Sequence, residues 1–480
     1  MRKTLVTLAL AAVPALLLSA CNGSTAGGGT GVAALPNVPT ASHHRMHHND
    51  NGAQDLHAGG ATFPAYAYNL ASQPVGLYNS AQAPPKQGSL FYSYGGVGTI
   101  YYCLTGSGFG RKEFTGQSIT ATAACAGLGD TPVGFGGRQD PLDFVGTDQA
   151  MTEGTSSKPG DCCASYSYYA QHRLVGTQTW GQPFEIPVVG GPIVYGFRPQ
   201  DFSAIKTMKL STWTYCAIAN GTIADWNDPA ITADNGKSIT GGVSESITFY
   251  FRSDSSGTSY NYTNDLNVRC NPGSWPAPYN SYPYENGSRA AEWTFGVNTV
   301  WPGPGSSADP NPRFIGENGN PGVLAGIQST PYGTGYIEGG YAKSANPKVG
   351  QAWLQNGFSK KKHSAIFVNP MSASAVKNAL AKVTASNITY GGASDGGSLN
   401  SSTPWCQLYI DPSNFTSSPA KTYPLVAVSY LLFYGNNNGV HLSDKTTLIK
   451  YMTSAAASTI MGKLEYAPLS NSIHQAILNA

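Results

Sequence analysis

Four short segments, each rich in glycine and in residues with small or hydroxyl side chains, lie between an apolar run and a helical pattern. They are Gly59-Gly-Ala-Thr-Phe-Pro64, Thr105-Gly-Ser-Gly-Phe-Gly110, Asp143-Phe-Val-Gly-Thr-Asp148 and Arg252-Ser-Asp-Ser-Ser-Gly-Thr258. A helix that begins at such a segment presents unpaired N–H donors and the positive end of its dipole. The four segments therefore favour an anion at strand-to-helix junctions, although each is a weak signal by itself.

The chain between these segments alternates between strand and helix patterns. Apolar, β-rich runs cover residues 186–195, 246–251 and 424–433, and helical patterns cover residues 372–386 and 444–461. This alternation predicts an α/β protein with largely parallel sheets. The Gly-Gly pair inside the first run predicts a bend in that strand.

Composition excludes several classes of protein. The 480 residues allow two to four domains, and the net charge of +2 gives no support to nucleic-acid binding. A content of 41% hydrophobic residues allows a sizeable core and excludes global disorder. After the N-terminal segment no apolar run is long enough for a multi-span membrane protein.

The N-terminus is typical of a targeting signal. Two basic residues precede the apolar stretch 5–18, and Leu18-Ser-Ala-Cys21 follows it. This order resembles the lipobox of a bacterial lipoprotein, which implies that residues 1–20 are a signal peptide and that Cys21 is acylated. A plain secretory signal is the alternative. In either case the mature protein is expected outside the cytoplasm, and the lipid would hold it at a membrane.

Residues 21–55 are interpreted as a flexible His- and Gly-rich tether. The motif His43-His-Arg-Met-His-His48 lies within it, and its four imidazoles are possible ligands for a transition metal. No supporting scaffold is visible around them, so we favour a solvated linker and predict no metal site.

Of the eight cysteines, the seven other than Cys21 are interpreted as structural. Proximity in sequence favours disulfides between Cys103 and Cys125 and between Cys216 and Cys270, although sequence alone does not decide the pairing. An oxidising compartment permits such bonds. The spacing of a zinc site is absent, because no Cys-x-x-Cys occurs.

The segment that starts at Arg252 is the most specific of the four. Arg252 follows a predicted strand and can donate two hydrogen bonds to a tetrahedral oxyanion. Asp254 is placed to orient that guanidinium. Ser256, Gly257 and Thr258 would donate from the start of the next helix.

Taken together with further segments, this set resembles the phosphate-binding protein of the high-affinity ABC-type phosphate importer, the PstS family. The matches run in the family's order from about residue 56 to about residue 470. The additional matching segments are Gly106-Ser-Gly-Phe-Gly-Arg-Lys-Glu-Phe114, Val188-Val-Gly-Gly-Pro-Ile-Val194, Gly221-Thr-Ile-Ala-Asp-Trp-Asn-Asp-Pro229, Gly319-Asn-Pro-Gly-Val323, Gly335-Tyr-Ile-Glu338, Tyr423-Pro424 and Tyr466-Ala-Pro-Leu469.

The resemblance implies a set of phosphate-binding residues: Thr62, Phe63, Asp148, Arg252, Ser256, Gly257 and Thr258, with Asp254 behind Arg252. One further hydroxyl ligand is uncertain because an insertion splits the motif, so that either Ser107 or Thr99 would hold the place. We favour Ser107, since residues 108–114 have the pattern of the helix that it would cap.

The resemblance also implies the fold. It is the α/β type II periplasmic-binding-protein fold, with two α/β lobes and a ligand cleft between them. Lobe 1 would comprise residues 56–190 and 345–480, and lobe 2 would comprise residues 191–344.

The function implied by the resemblance is phosphate uptake. The chain would be a monomeric, lipid-anchored, periplasmic or cell-surface receptor that captures inorganic phosphate without a cofactor. It would deliver the phosphate to the transmembrane subunits of an ABC permease, with no catalysis. An ionised Asp148 can accept a hydrogen bond from P–OH, whereas sulfate has no proton to donate.

Three alternatives remain open at this point. One is a phosphatase or other phosphoryl hydrolase built on the same anion site, against which the sequence shows no Gly-x-Ser-x-Gly elbow with a matched histidine. Another is a receptor for a different oxyanion, such as sulfate or molybdate. The third is a surface lipoprotein that serves adhesion or signalling.

Overall fold

The structure is a computed structural model, and it describes part of the chain. The described residues are 55–70, 85–114, 143–150, 174–175, 178–179, 183–271, 292–359, 364–381, 383–391, 407–410, 415, 420–434 and 441–479. The signal peptide, Cys21, most of the tether and Cys125 lie outside these residues, so the interpretations that concern them stay predictions.

The described residues form short helices and strands in alternation. The strands are β1 Leu56–Gly60, β2 Ile100–Cys103, β3 Phe144–Thr147, β4 Leu174–Val175, β5 Gln178–Thr179, β6 Pro183–Phe197, β7 Lys209–Leu210, β8 Thr248–Arg252, β9 Phe314–Glu317, β10 Gly333–Glu338, β11 Gly350–Gln351, β12 Trp353–Ser359, β13 Ser364–Val368, β14 Ile388–Gly391, β15 Gln407–Ile410 and β16 Val426–Tyr434. The α-helices are α1 Ala65–Asn69, α2 Ser107–Phe114, α3 Thr212–Ala219, α4 Pro229–Asn235, α5 Gly257–Arg269, α6 Gly319–Ser329, α7 Gly339–Ser344, α8 Ala373–Leu380, α9 Leu442–Met452, α10 Ala455–Lys463 and α11 Asn471–Asn479. Of the helices within the described ranges, none has the length and apolar character needed to cross a membrane.

A mixed 11-stranded sheet organises the molecule, with the main strand order β2-β1-β3-β16-β6-β10-β8-β9. β1 is parallel to β2 and β3, and β8 is parallel to β9 and β10. β16 and β10 run antiparallel to β6. The predicted α/β class is confirmed. The predicted parallel pairing holds only for the two outer sets of strands, β2-β1-β3 and β10-β8-β9. The central strands are antiparallel because the chain crosses between the two sets there.

The long strand β6 belongs to both halves of this sheet. Its first part pairs with β16 and its last part, from Ile193 to Phe197, pairs with β10. We call the half with β1, β2, β3 and β16 the first lobe, and the half with β8, β9 and β10 the second lobe. The chain leaves β6 after Phe197 and returns at β11, where Gly350 pairs with Phe197. The residue bounds predicted for the lobes stay a prediction.

The Gly-Gly pair of β6 does not interrupt the strand, and the register of β6 against β16 shifts just before the pair, between Pro187 and Val189. The expected bend itself stays a prediction. β6 continues through Gly190 and Gly191. A Cβ atom at Gly190 would overlap Leu380 Cδ1, and one at Gly191 would lie 3.1 Å from Phe63 Cζ. The two glycines therefore serve close packing over the faces of the strand.

The second lobe has helices on both faces of its sheet. The side chains of β8 alternate between two hydrophobic clusters. Phe249 and Phe251 belong to the large cluster that includes Tyr262 and Leu266 of α5. Tyr250 belongs to the other cluster, with Val323, Leu324 and Ile327 of α6. This arrangement fixes the positions at which α5 and α6 begin.

A disulfide joins Cys216 of α3 to Cys270, the residue that follows α5, with the two Cα atoms 5.6 Å apart. This predicted pairing is confirmed. Cys103 is also disulfide-bonded. Its predicted partner, Cys125, lies outside the described residues, so that pairing stays a prediction.

Both helices predicted near the C-terminus differ from the observed ones. The pattern over 372–386 gives α8, which ends at Leu380. The pattern over 444–461 gives α9 and α10 in place of one helix, so the single-helix prediction is wrong. Ser454 separates them, because its hydroxyl caps α10 by accepting a hydrogen bond from the N–H of Ala457 at 3.2 Å.

Gly335 offers a test of the packing between β8 and β10. A Cβ atom there would lie 2.5 Å from the backbone oxygen of Tyr250. Because backbone atoms have little room to move, we expect Gly335→Ala to lower the free energy of unfolding by about 1–3 kcal/mol, measured by urea denaturation.

Gly462→Ala is the matched control for this substitution. Gly462 lies in α10, and a Cβ atom there would have no neighbour within 4 Å. We expect the free energy of unfolding of this variant to rise by about 0.5–1 kcal/mol, because alanine has a higher helix propensity than glycine. Equal unfolding free energies for the two variants would contradict the packing explanation.

Candidate functional site

The carboxyl ends of both parallel strand sets lead into the same cleft. In the first lobe Thr62 follows β1, Ser107 follows β2 and Asp148 follows β3. In the second lobe Arg252 ends β8 and Gly319 follows β9. In α/β sheets of this kind the strand ends are where ligands bind.

Several hydrogen bonds join the lobes across this cleft. The N–H of Gly108 donates to the backbone oxygen of Ser255 at 2.9 Å. Asn261 of α5 donates through Nδ2 to the backbone oxygen of Asp148 at 2.8 Å. The structure is therefore the closed arrangement of the two lobes.

Asp148 is the acidic group of the cleft and is 3% exposed. The hydroxyl of Ser107 accepts a hydrogen bond from the Asp148 N–H at 3.3 Å and lies 3.5 Å from Oδ2. Among the described residues, Asp148 Oδ1 has no hydrogen-bond partner. A buried carboxylate oxygen without a donor is costly, so this atom marks a place for a ligand that supplies one.

Burial raises the pKa of Asp148 to about 7. Ser429, Arg252, Arg111 and Ser107 act in the opposite direction and hold the pKa below what burial alone would give. The hydroxyl of Ser429 donates to the backbone oxygen of Thr147 at 3.4 Å. Loss of hydration is the dominant cause, because it penalises the ionised form of the carboxyl.

Arg252 is held by an ion pair with Asp254, and its side chain is 1% exposed. Nε of Arg252 donates to Asp254 Oδ1 at 2.6 Å, and Nη2 contacts Asp254 Oδ2. Asp254 Oδ1 also accepts from the N–H of Gly319 at 3.0 Å. The remaining guanidinium nitrogen, Nη1, faces Thr258 Oγ1 at 3.4 Å. Asp254 therefore orients the guanidinium and ties it to the start of α6.

The start of α5 lies directly against the first lobe. Ser256 caps the helix by accepting a hydrogen bond from the N–H of Ser259 at 3.2 Å. A Cβ atom at Gly257 would lie 2.6 Å from Asp148 Cβ and 2.7 Å from Ser107 Oγ. Only glycine lets the helix N-terminus approach Asp148 this closely.

Thr62 and Phe63 contribute in different ways. The Thr62 hydroxyl lies in the cleft, where it accepts hydrogen bonds from Asn320. The ring of Phe63 is buried and packs edge-on against Tyr466, with centroids 6.1 Å apart. Phe63 therefore offers the cleft its backbone only.

Ser107 and Thr99, the two alternatives for the hydroxyl ligand, lie at opposite ends of β2. Ser107 begins α2 and contacts Asp148, so its hydroxyl faces the cleft. Thr99 lies at the opposite end of β2, where its N–H donates to Asp55 Oδ1 at 2.7 Å. The structure thus brings the Ser107 hydroxyl to the other predicted residues and leaves Thr99 apart.

Two side chains at the site were not identified from the sequence. Asn320 contacts both Thr62 and Thr258, and it lies in the 319–323 segment that matched the family without a ligand role. Arg111 of α2 donates through Nη1 to Thr147 Oγ1 at 3.1 Å and lowers the pKa of Asp148. No pattern in the sequence distinguished Arg111 from other helix arginines.

The acidic side chains that the structure describes in the cleft are not arranged as metal ligands. Within the described ranges no group of three or more His, Cys, Asp or Glu side chains is arranged to hold a metal ion. The acidic side chains of the cleft, Asp148 and Asp254, face arginines or N–H donors. This set of donors suits an anion.

Comparison with known sequences identifies relatives of the chain. The sequence profile described as "PBP superfamily domain" matches residues 105–456. "Phosphate-binding protein PstS 3" of Mycobacterium leprae is 29% identical over 237 residues, 49% of this chain and 49% of the relative. "Phosphate-binding protein PstS" of Methanocaldococcus jannaschii is 30% identical over 279 residues, 57% of this chain and 59% of the relative. The chain thus spans about half to three-fifths of these relatives' length, and the resemblance predicted from the motifs is confirmed.

Comparison with solved structures supports the same fold. The structure titled "Phosphate-Binding Protein from Stenotrophomonas maltophilia" has a TM-score of 0.55 and 17% identity, covering 88% of this chain and 92% of that chain. A high-affinity periplasmic phosphate-binding protein called PfluDING, bound with phosphate, has a TM-score of 0.55 and 18% identity, covering 88% and 93%. At this identity the likeness shows the fold alone, and the predicted fold class is confirmed.

The raised pKa of Asp148 makes a prediction for the ligand-free protein. The unfolded chain loses the Asp148 proton near pH 4, whereas the folded protein retains it to about pH 7. Because the folded state binds more protons in this interval, its stability falls as the pH rises through it. The wild-type protein should therefore lose stability between pH 5 and pH 8 that Asp148→Asn keeps. We expect the free energy of unfolding of the variant, relative to that of wild type, to rise by about 2–3 kcal/mol from pH 5 to pH 8.

Urea denaturation of both proteins at the two pH values measures this change. The other titrating groups are common to both proteins and cancel in the difference, except Glu338. Burial raises the pKa of Glu338 to about 8, and the Asp148 charge contributes to that rise, so the coupling between the two carboxyls is part of the measured difference. A difference between variant and wild type that is the same at pH 5 and pH 8 would contradict the assignment of the pKa.

Proposed function

We propose that this chain, which belongs to the PBP superfamily, captures inorganic phosphate outside the cytoplasm and delivers it to an ABC-type import permease. Curated relatives named phosphate-binding protein support the ligand. The closed cleft with its buried donors supports a binding role. The residues assigned to phosphate are Thr62, Phe63 (backbone), Ser107, Asp148, Arg252, Ser256, Gly257 and Thr258.

The unpartnered Oδ1 of Asp148 is the single observation that carries this proposal. It is the acceptor at a site otherwise built from donors. Phosphate near neutral pH carries at least one proton and can donate it to this oxygen. Sulfate carries no proton and would face a buried, repelling carboxylate. Sulfate can avoid that repulsion only if the carboxyl is protonated, which becomes costlier as the pH rises above the Asp148 pKa of about 7, so the rejection of sulfate should reach roughly 100-fold at about pH 9.

The remaining oxygens of the anion are assigned to the donors around Asp148. Arg252 supplies a fixed positive charge, because Asp254 holds the guanidinium in one orientation. Ser107, Thr258 and the N-terminus of α5 supply neutral dipoles. In a closed cleft that excludes water, each of these contacts is stronger than at a surface.

The proposal assigns no catalytic group. A phosphoryl hydrolase needs an activated nucleophile or a positioned water, and no contact among the described residues of the cleft favours one over simple binding. Release of phosphate from a phosphate ester by the purified protein would revive that alternative.

Location and partners complete the proposal. The lipobox-like sequence at Cys21 supports a lipid anchor on a membrane, with the protein facing the periplasm or cell surface. The transmembrane subunits of the permease are the proposed partner, and the protein would act as a monomer.

Calorimetric titration tests the ligand. The protein without residues 1–21, stripped of bound phosphate, should bind one phosphate per chain at neutral pH. At about pH 9, where Asp148 is ionised, sulfate should bind roughly 100-fold more weakly than phosphate or not at all. Absence of phosphate binding would overturn the proposal.

Asp148→Asn should reduce the preference for phosphate over sulfate by roughly 10-fold or more, because an amide no longer repels a fully ionised anion. Asp234→Asn is the matched control. Asp234 is also a buried carboxyl with a pKa raised by burial to about 6, but it lies in α4 and accepts from the Ser211 N–H at 2.7 Å. An equal loss of preference in both variants would remove the specific role of Asp148.

Cys21→Ser tests the anchor. We expect the wild-type protein in the membrane fraction of a bacterium that lipidates its own lipoproteins, and the variant in the soluble extracytoplasmic fraction. Equal distribution of the two proteins would contradict lipidation at Cys21.

A further inference from the structure

Asn320 is a fully buried polar side chain in the cleft for which phosphate binding as proposed above has no role. It is the second residue of α6, in the second lobe. Its Nδ2 lies 3.1 Å from Thr62 Oγ1, in the first lobe, and 3.4 Å from Thr258 Oγ1, in the second lobe. One amide group therefore contacts two of the hydroxyls that are assigned to the anion.

The hydrogen bonds of Thr62 leave its hydroxyl only one further role. Oγ1 accepts from the Asn320 backbone N–H at 3.3 Å and from Asn320 Nδ2 at 3.1 Å. A hydroxyl oxygen has two lone pairs and one proton. Both lone pairs are occupied by Asn320, so the Thr62 hydroxyl can take part in a further hydrogen bond only as a donor.

The hydroxyl of Thr258 is constrained in the same way. Its Oγ1 accepts from Arg252 Nη1 at 3.4 Å and from Asn320 Nδ2 at 3.4 Å. None of the described residues accepts a hydrogen bond from the hydroxyl of Thr62 or Thr258. Within the part of the chain that the structure describes, both protons are therefore left for a group that enters the space between the lobes.

The Asn320 amide cannot turn round to reverse these roles. Its Oδ1 accepts from the N–H of Glu338 at 3.1 Å. If the amide turned, its NH₂ group would face this N–H, and two donors would oppose each other. Glu338 is itself fixed, because its carboxylate accepts from the N–H groups of Gly340 and Tyr341 at the start of α7.

We propose that Asn320 is a positioning residue that commits the hydroxyls of Thr62 and Thr258, one from each lobe, to donate to a bound oxyanion. This inference rests on the proposed function. Without the amide, each hydroxyl would be able to rotate and accept, and the proton that should meet the anion would be free to point elsewhere. Asn320 thus sets the affinity of the site without contacting the anion.

A double-mutant cycle between Asn320 and Thr258 tests this role. Both residues lie in the second lobe, so their coupling does not report the contact between lobes. In the full chain, titrated with inorganic phosphate, Asn320→Ala should weaken binding roughly 10- to 100-fold, and Thr258→Val by a similar factor. The double variant should bind within about 3-fold of the weaker single variant, because each substitution removes the same donated hydrogen bond.

Asn235→Ala is the matched control. Asn235 also makes three side-chain hydrogen bonds, to the backbone of Lys209 and Ile231, away from the cleft. We expect it to leave phosphate affinity within about 2-fold of wild type, although its folding stability falls. If Asn320→Ala does not fold, Asn320→Asp carries the same cycle, since it keeps the shape and the acceptor for the Glu338 N–H but removes the NH₂ donor. Because this variant also adds a negative charge near the anion, only its coupling to Thr258→Val, and not its single loss of affinity, is used.

Two results would overturn the inference while wild-type protein binds phosphate. One is phosphate affinity of the Asn320 variant within about 3-fold of wild type. The other is a double variant whose loss equals the product of the two single losses, as expected if Asn320 only bridges the lobes. A wild-type protein that binds no phosphate would instead overturn the proposed function, and the inference with it.

Discussion

The ion pair between Arg252 and Asp254 is the interaction on which the site depends. A guanidinium that is 1% exposed has lost its hydration and needs a partner at fixed geometry. Asp254 supplies this partner, and it also accepts from the N–H of Gly319. One carboxylate therefore holds the charge of the site and positions the helix that carries Asn320.

The charges of the cleft are then divided between two carboxyls with different environments. Asp254 is paired with Arg252, whereas Asp148 is buried with one oxygen unpaired and has a pKa raised to about 7. The first carboxyl serves the protein's own cation and the second is left for the ligand. Such a separation of roles is a general way to build a selective site from similar side chains.

Local sequence singled out segments that the fold brings together at one cleft, because glycine, hydroxyls and charge at a strand end have a direct physical meaning. It predicted Ser107 over Thr99 from the helix that follows. It did not predict Asn320 or Arg111, since their importance comes from contacts between residues far apart in the chain. Asn320 reaches Thr62 across 258 positions.

The fold, like the site, has features that local sequence predicted and features that it did not. The α/β class followed from alternating patterns, but the antiparallel central strands followed from how the chain crosses between lobes, which no local pattern encodes. The division of 444–461 into two helices depended on a single cap at Ser454. Apolar periodicity alone did not reveal it.

The pairing of Phe197 with Gly350 has a consequence for the origin and engineering of such proteins. The chain departs from the shared strand and comes back beside the point of departure, so residues 198–349 form an insertion whose two ends are neighbours. Recombination at those two ends would transfer Arg252, Thr258 and Asn320 as one block and leave Asp148 with its original host. The residues that we propose to bind the anion thereby fall into two groups that such an exchange would separate.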